Sequence, residues 1–196
     1  MKEFQTKNLV RIALLAALAF LLTFIYVTPP IFPSFLKLEL SDIPAVIGAL
    51  AISPMAGILI GLVKNIIDLV YKPVALGVGQ AANFIIGTAL ILPFAYIYRK
   101  KGTVKWFTIG SAAGIITAVL IACIANYFVL IPLYANVFGI TVKQVVAMTS
   151  VVNGAVSDFR TFILFAIAPF NLIKYTLEAV LGFFIYKAVR PLLFTD

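Results

Sequence analysis

Lys174 stands inside residues 162–188, a largely apolar stretch long enough to cross a bilayer. An ammonium at that depth costs ~2.5–3.5 kcal/mol on insertion scales unless it is partnered. Asn171 lies one helical turn earlier on the same face, so two strong hydrogen-bonding side chains share one side of a membrane helix. Lysine brings three donors, and asparagine brings donors and an acceptor. That chemistry suits holding a polar ligand within the membrane. Glu178, four residues on, supports a competing structural reading in which it pairs with Lys174. Lys64 and Asp68 repeat this spacing beside Asn65 and read as a self-compensating structural pair. Asn83 and Asn126 are further candidates for the ligand site. The alternative for each asparagine is a bond between helices, worth ~0.6 kcal/mol on average.

Several chemistries are disfavoured. Histidine is absent, which removes the commonest general base and metal ligand. No P-loop, H-E-x-x-H or G-x-S-x-G pattern occurs, and only seven residues are acidic. Neither an enzyme nor an ATP binder is expected, and no metal or cofactor. The lone Cys123 excludes an internal disulfide and reads as a small packing residue. The chain reads as a binder without its own energy source.

The elements that must position these groups are membrane helices. Hydrophobic residues make up 63% and charged residues 11% of the 196, and the mean hydropathy is +1.13, far outside soluble domains. Hydropathy and proline punctuation predict an all-α integral membrane protein forming one domain over residues 1–196. Its six spans lie near 9–27, 43–52, 55–70, 79–98, 104–131 and 159–189. Pro29, Pro30 and Pro33 end the first span and open a long extracellular loop, and a short surface helix is expected near 142–149.

The second span is only ~15 Å long and must be shielded by protein. Charge decides that it counts as a span. With both termini cytoplasmic, the inner side collects Lys2, Lys7, Arg11, Arg99, Lys100, Lys101, Lys105, Lys187 and Arg190. The outer side then holds Lys37, Lys72, Lys143 and Arg160. On this topology Asn171 and Lys174 lie roughly 18–22 Å down the last span from outside. Ala13 and Ala17 form a small-x-x-x-small face on the first helix, where docking to another subunit competes with internal packing. Gly57/Gly61 and Gly110/Gly114 read as internal packing.

A set of motifs carries a resemblance. They are residues 35–44 (FLKLELSDIP), Ser53-Pro54 with Gly57, Lys64-Asn65, Asn83-Phe84 with Gly87, Asn126-Tyr127 with Pro132-Leu133-Tyr134, and Ala168-Pro169-Phe170-Asn171 with Lys174. In order and spacing the chain resembles the substrate-binding S-components of energy-coupling factor vitamin transporters, most closely the riboflavin-specific type. The resemblance implies a six-helix protein of the bacterial cell membrane that binds riboflavin, as cargo and not cofactor, under the loop after the first helix. It also implies delivery through a membrane scaffold subunit and two cytoplasmic ATPases, with Ala13 and Ala17 meeting the scaffold. No nucleic acid is involved. The site carried over comprises Leu36, Lys37, Leu38, Gly79, Asn83, Asn126, Asn171 and Lys174, with Phe32, Phe35, Phe84, Tyr127, Tyr134 and Phe170 available to line an apolar slot. Two other readings stand beside it: an S-component for another vitamin or small metabolite, and a ligand-free membrane assembly protein.

Overall fold

The computed structural model describes residues 5–33, 35–73 and 75–193; Lys2, counted above with the inner basic residues, lies outside them. Its helices are α1 (Thr6–Leu22), α2 (Ile43–Ala51), α3 (Pro54–Tyr71), α4 (Val78–Arg99), α5 (Val104–Ala125), α6 (Ile131–Val137), α7 (Val142–Ser150), α8 (Phe159–Phe162) and α9 (Ala168–Leu193). A π turn, Asn126–Leu130, joins α5 to α6, and a second, Ile163–Ile167, joins α8 to α9. Among the described residues four helical runs are long and apolar enough to cross a membrane: Pro54–Tyr71, Val78–Arg99, Val104–Val137 and Phe159–Pro191.

Three expectations need correction. The first span stops at Leu22, not residue 27. The Thr23 hydroxyl bonds back to the Phe20 carbonyl (2.7 Å), and the β-favouring residues beyond it leave the helix. Tyr26–Val27 (β1) instead pairs antiparallel with Leu38–Glu39 (β2), so the fold is all-α apart from one short ribbon. This ribbon makes a flap of the segment between its strands, described at residues 28–33 and 35–37. The fifth span does not end at Pro132; the helix widens around the proline and runs on to Val137. The surface helix falls where the sequence puts it, as α7, with Thr141 and Gln144 forming a reciprocal capping box.

The short α2 is buried at all nine residues, against α3, α4, α9 and α1. Its open C-terminal carbonyls at Leu50 and Ala49 accept from the Arg99 guanidinium (3.1 and 3.5 Å), which supplies donors that lipid lacks. Ser53 then N-caps α3, accepting from the Ala56 amide (3.0 Å), and Pro54 occupies the first helical position, where no N–H is needed. The glycine pairs pack internally: a Cβ on Gly57 would meet Ala49 and the Ala45 carbonyl, and one on Gly114 would overlap the Leu90 carbonyl of α4. On α1 the inward residues are Ile12, Ala16 and Ala19, whereas Ala13 and Ala17 are exposed.

Candidate functional site

Two prolines shape the site. Pro132 and Pro169 lack an N–H, and their rings press on the carbonyls four residues back, at Phe128 and Phe165. In both places the helix answers with a π turn. The Ile131 amide donates to the Asn126 carbonyl and the Ala168 amide to the Ile163 carbonyl, five residues back in each case. Such turns often mark functional positions. The Phe165 carbonyl is met by the Asn153 side-chain amide (2.9 Å). Asn126 opens the first π turn and Asn171 follows the second. Each anchors its amide nitrogen to the carbonyl four residues back, at Ala122 and Ile167 (both 2.8 Å). Each is left with an oxygen that makes no hydrogen bond among the described residues. The two π turns touch each other, and α4, which carries Gly79 and Asn83, touches the first. Asn83 is half-buried and has no hydrogen bond among the described residues.

Lys174 is 4% exposed and makes no hydrogen bond among the described residues. The competing pair with Glu178 does not form, and both Glu178 oxygens are buried without a hydrogen-bond partner among the described residues. The ammonium lies instead 4.0 Å from Glu39 Oε1 and 4.0 Å from Asp42 Oδ2, with the Tyr175 ring centre 5.5 Å away. At that separation each attraction is on the order of 4 kcal/mol at an intermediate effective dielectric, against a desolvation penalty of similar size. Lys64 likewise does not pair with Asp68. It forms an ion pair with Asp42 Oδ1 and donates to Ser41 Oγ (3.0 Å), and the Ser41 hydroxyl donates to Glu39 Oε1 (2.9 Å). Asp68 turns to Lys72 (3.3 Å). Spacing within one helix suggested the i, i+4 partners; burial selected Glu39 at the end of β2 and Asp42 at the start of α2.

The flap closes over these groups through aromatic contacts. Phe32 meets Phe170 edge-on at 5.4 Å, and Phe35 lies 6.5 Å from Phe162. Leu36 packs into the buried cluster that contains Phe162 and Ile163, which Tyr127 and Phe159 also join; the latter two stack at 4.8 Å. Leu38 is half-buried in β2. The Lys37 side chain is exposed and sits over the Tyr26 ring (4.1 Å), so its ammonium is turned to the ribbon. Tyr134 stacks on Phe138. A cleft of about 350 Å³ opens between the flap and α7, lined by Pro29, Phe32, Pro33, Phe35, Met148 and Val152. Of the expected residues it includes the slot-lining Phe32 and Phe35 and none of the polar ones. The unsatisfied polar atoms, not this cleft, mark the chemistry.

Sequence reading passed over Glu39, Ser41 and Asp42 as functional residues, although they lay within a quoted motif. A usable signal was present: with few acids in the chain, the two buried lysines had few possible counter-charges.

A helical membrane scaffold with a buried, partly unsatisfied polar cluster under a flap describes a membrane binding protein. The chain matches the family of the ECF transporter, substrate-specific component, over residues 7–186, and belongs to it. That family is one of transporters and not of enzymes. The chain is 32% identical over 189 residues to the riboflavin transporter RibU of Staphylococcus aureus (strain TCH60), covering 96% of this chain and 93% of that one. To the riboflavin transporter FmnP of Bacillus subtilis (strain 168) it is 30% identical, covering 95% and 94%. A solved structure, described as the S component of a bacterial ECF transporter, superposes with a TM-score of 0.76 at 31% identity and covers 97% of this chain and 99% of the other.

Proposed function

We propose that this protein is the high-affinity riboflavin-binding subunit of an ATP-driven vitamin uptake transporter in the bacterial plasma membrane. It takes cargo from outside and delivers it through a scaffold subunit and two ATPases. On this reading residues 1–196 are one six-helix unit with both termini cytoplasmic, α1 and α2 adding two spans to the four long ones. Leu36, Lys37, Leu38, Gly79, Asn83, Asn126, Asn171 and Lys174 contact the cargo. Ala13 and Ala17 form the exposed face that meets the scaffold.

The observation that carries this reading is the Lys174 ammonium, buried without a hydrogen bond beside Asn171, in a chain related to riboflavin transporters. An isoalloxazine ring fits that arrangement. It is flat and largely apolar, it needs an aromatic-lined slot, and its pyrimidine edge presents carbonyl oxygens and an N–H to lysine and asparagine. The asparagine oxygens left over at the π turns are acceptors for the ring N–H or the ribityl hydroxyls. The test is direct. Detergent-purified protein should carry a yellow flavin absorbance band or quench riboflavin fluorescence saturably on titration. Saturable binding of a different vitamin with no flavin binding would move the reading to another cargo. No binding of either would leave a ligand-free assembly role.

A further inference from the structure

We propose that Glu39 and Asp42 are positioning residues for Lys174, so that the segment from the end of β2 to the start of α2 sets where the cargo-binding ammonium stands. The inference rests on the reading that Lys174 contacts the cargo. Two limbs run from one anchor. Lys64 holds Asp42 directly through Oδ1, and Asp42 Oδ2, buried and without a hydrogen bond, faces Lys174 at 4.0 Å. Lys64 also holds Ser41 Oγ (3.0 Å), Ser41 holds Glu39 Oε1 (2.9 Å), and that same oxygen faces Lys174 at 4.0 Å. Lys64 is 1% exposed and lies on α3, outside the flap, so it is a fixed post. Glu39 is the second residue of β2, paired with Tyr26, and follows directly on Leu36, Lys37 and Leu38.

A buried ammonium follows its counter-charges. The two acids are near enough to hold Lys174 and too far to occupy its hydrogens, which keeps its donors directed to a ligand. Glu178 stands differently. It lies on the lysine's own helix and forms neither a hydrogen bond nor an ion pair with Lys174 among the described residues, although its charge also acts on the ammonium. It has no hydrogen bond to the Lys64 anchor, so losing its charge should cost less binding than losing that of Glu39.

The experiment is equilibrium and stopped-flow riboflavin binding by the full chain in detergent, for wild type, Glu39→Gln, Glu39→Asp, Ser41→Ala and Glu178→Gln. Glu39→Gln should raise Kd about tenfold, mostly through faster dissociation, and Glu39→Asp should recover most of that loss. Ser41→Ala should raise Kd about threefold, while Glu178→Gln stays within about twofold of wild type. A folded Glu39→Gln variant with wild-type Kd overturns the proposal, as does an equal loss in Glu178→Gln, which would make any buried acid equivalent. If Glu39→Gln does not fold, Glu39→Asp and Ser41→Ala decide: wild-type Kd in both overturns it. Absence of riboflavin binding by the wild type overturns the cargo reading and this inference together, whereas wild-type binding with a normal Glu39→Gln overturns this inference alone.

Discussion

Two buried polar clusters lie in this protein, and they differ in completeness. Around Asp68 the bonding closes. One carboxylate oxygen accepts from the Thr23 hydroxyl (3.3 Å) and pairs with Lys72, and the other accepts from the Gln80 amide (2.8 Å). Lys72 also donates to the Thr23 carbonyl (3.1 Å), and Gln80 to the Lys72 carbonyl (3.0 Å). Three helices, α1, α3 and α4, are tied together there. Around Lys174 the bonding stays open: the ammonium, one Asp42 oxygen and both Glu178 oxygens lack hydrogen-bond partners among the described residues. A closed network rigidifies a fold, whereas an open one costs free energy that a ligand can recover. Polarity in a membrane core is therefore not the mark of a site; incomplete satisfaction is.

The sharpest way to break this contrast is to delete one member from each cluster. Lys174→Ala should weaken riboflavin binding by about a hundredfold or more, roughly 3 kcal/mol, and should also lower the melting temperature, because Glu39 and Asp42 lose a buried counter-charge. Asp68→Asn should cost stability alone. Losing the carboxylate that Lys72 and Thr23 share costs about 1–3 kcal/mol of stability, with riboflavin Kd unchanged within about twofold. If Asp68→Asn cost binding as heavily as Lys174→Ala, the two clusters would be one functional unit and the contrast would collapse.

A second comparison, between the two faces of α1, sharpens the assignment of partners. Ala16 and Ala19 are wholly buried against the other helices, but Ala13 and Ala17 face outward. Small residues on an outward membrane face permit close approach of another helix. Ala13→Trp or Ala17→Trp should leave riboflavin binding in detergent unchanged and reduce cellular uptake at least about tenfold. Ala16→Trp, by contrast, should fail to fold because there is no room for it. Wild-type uptake in both outward variants would remove the docking role from this face.

The site was legible where chemistry contrasted with surroundings. A lysine and an asparagine one turn apart in hydrocarbon announce themselves, and the structure has both buried at the α9 end of the flap. Partner choice was not legible. Lys64 and Lys174 each have an acid at i+4, yet both turn to the chain segment 39–42, because cross-element burial outweighs spacing along one helix. Helix ends misled for a related reason. Proline reads as a stop at residue 132, but a π turn absorbs it, while residues 23–27 look like more span and instead turn into the ribbon at Tyr26–Val27, because β1 finds a partner twelve residues downstream. Such partners are fixed by tertiary packing, which a local pattern does not contain.

A carboxylate outside the membrane-spanning runs calibrates the comparison at its small end. Asp158 caps α8 in full exposure. Its carboxylate accepts from the Thr161 amide (2.7 Å) and hydroxyl (3.0 Å), and its own amide donates to the Thr161 hydroxyl (2.8 Å). The hydrogen bond from the Thr161 backbone, then that from its hydroxyl, hold the carboxyl below its ordinary value of 3.8. The folded state thus binds its proton less readily than the unfolded state, so the stabilisation is present above pH ~4 and lost as pH falls through the folded value. Asp158→Asn keeps the capping geometry and removes the titration. Melting curves in detergent should show wild type slightly above the variant at pH 5, with the two converging towards pH 3. No gap at any pH in this range would mean that the cap acts through geometry alone, which asparagine also supplies. Riboflavin binding should be the same in both, since this acid is satisfied by its own helix and offers nothing to a ligand.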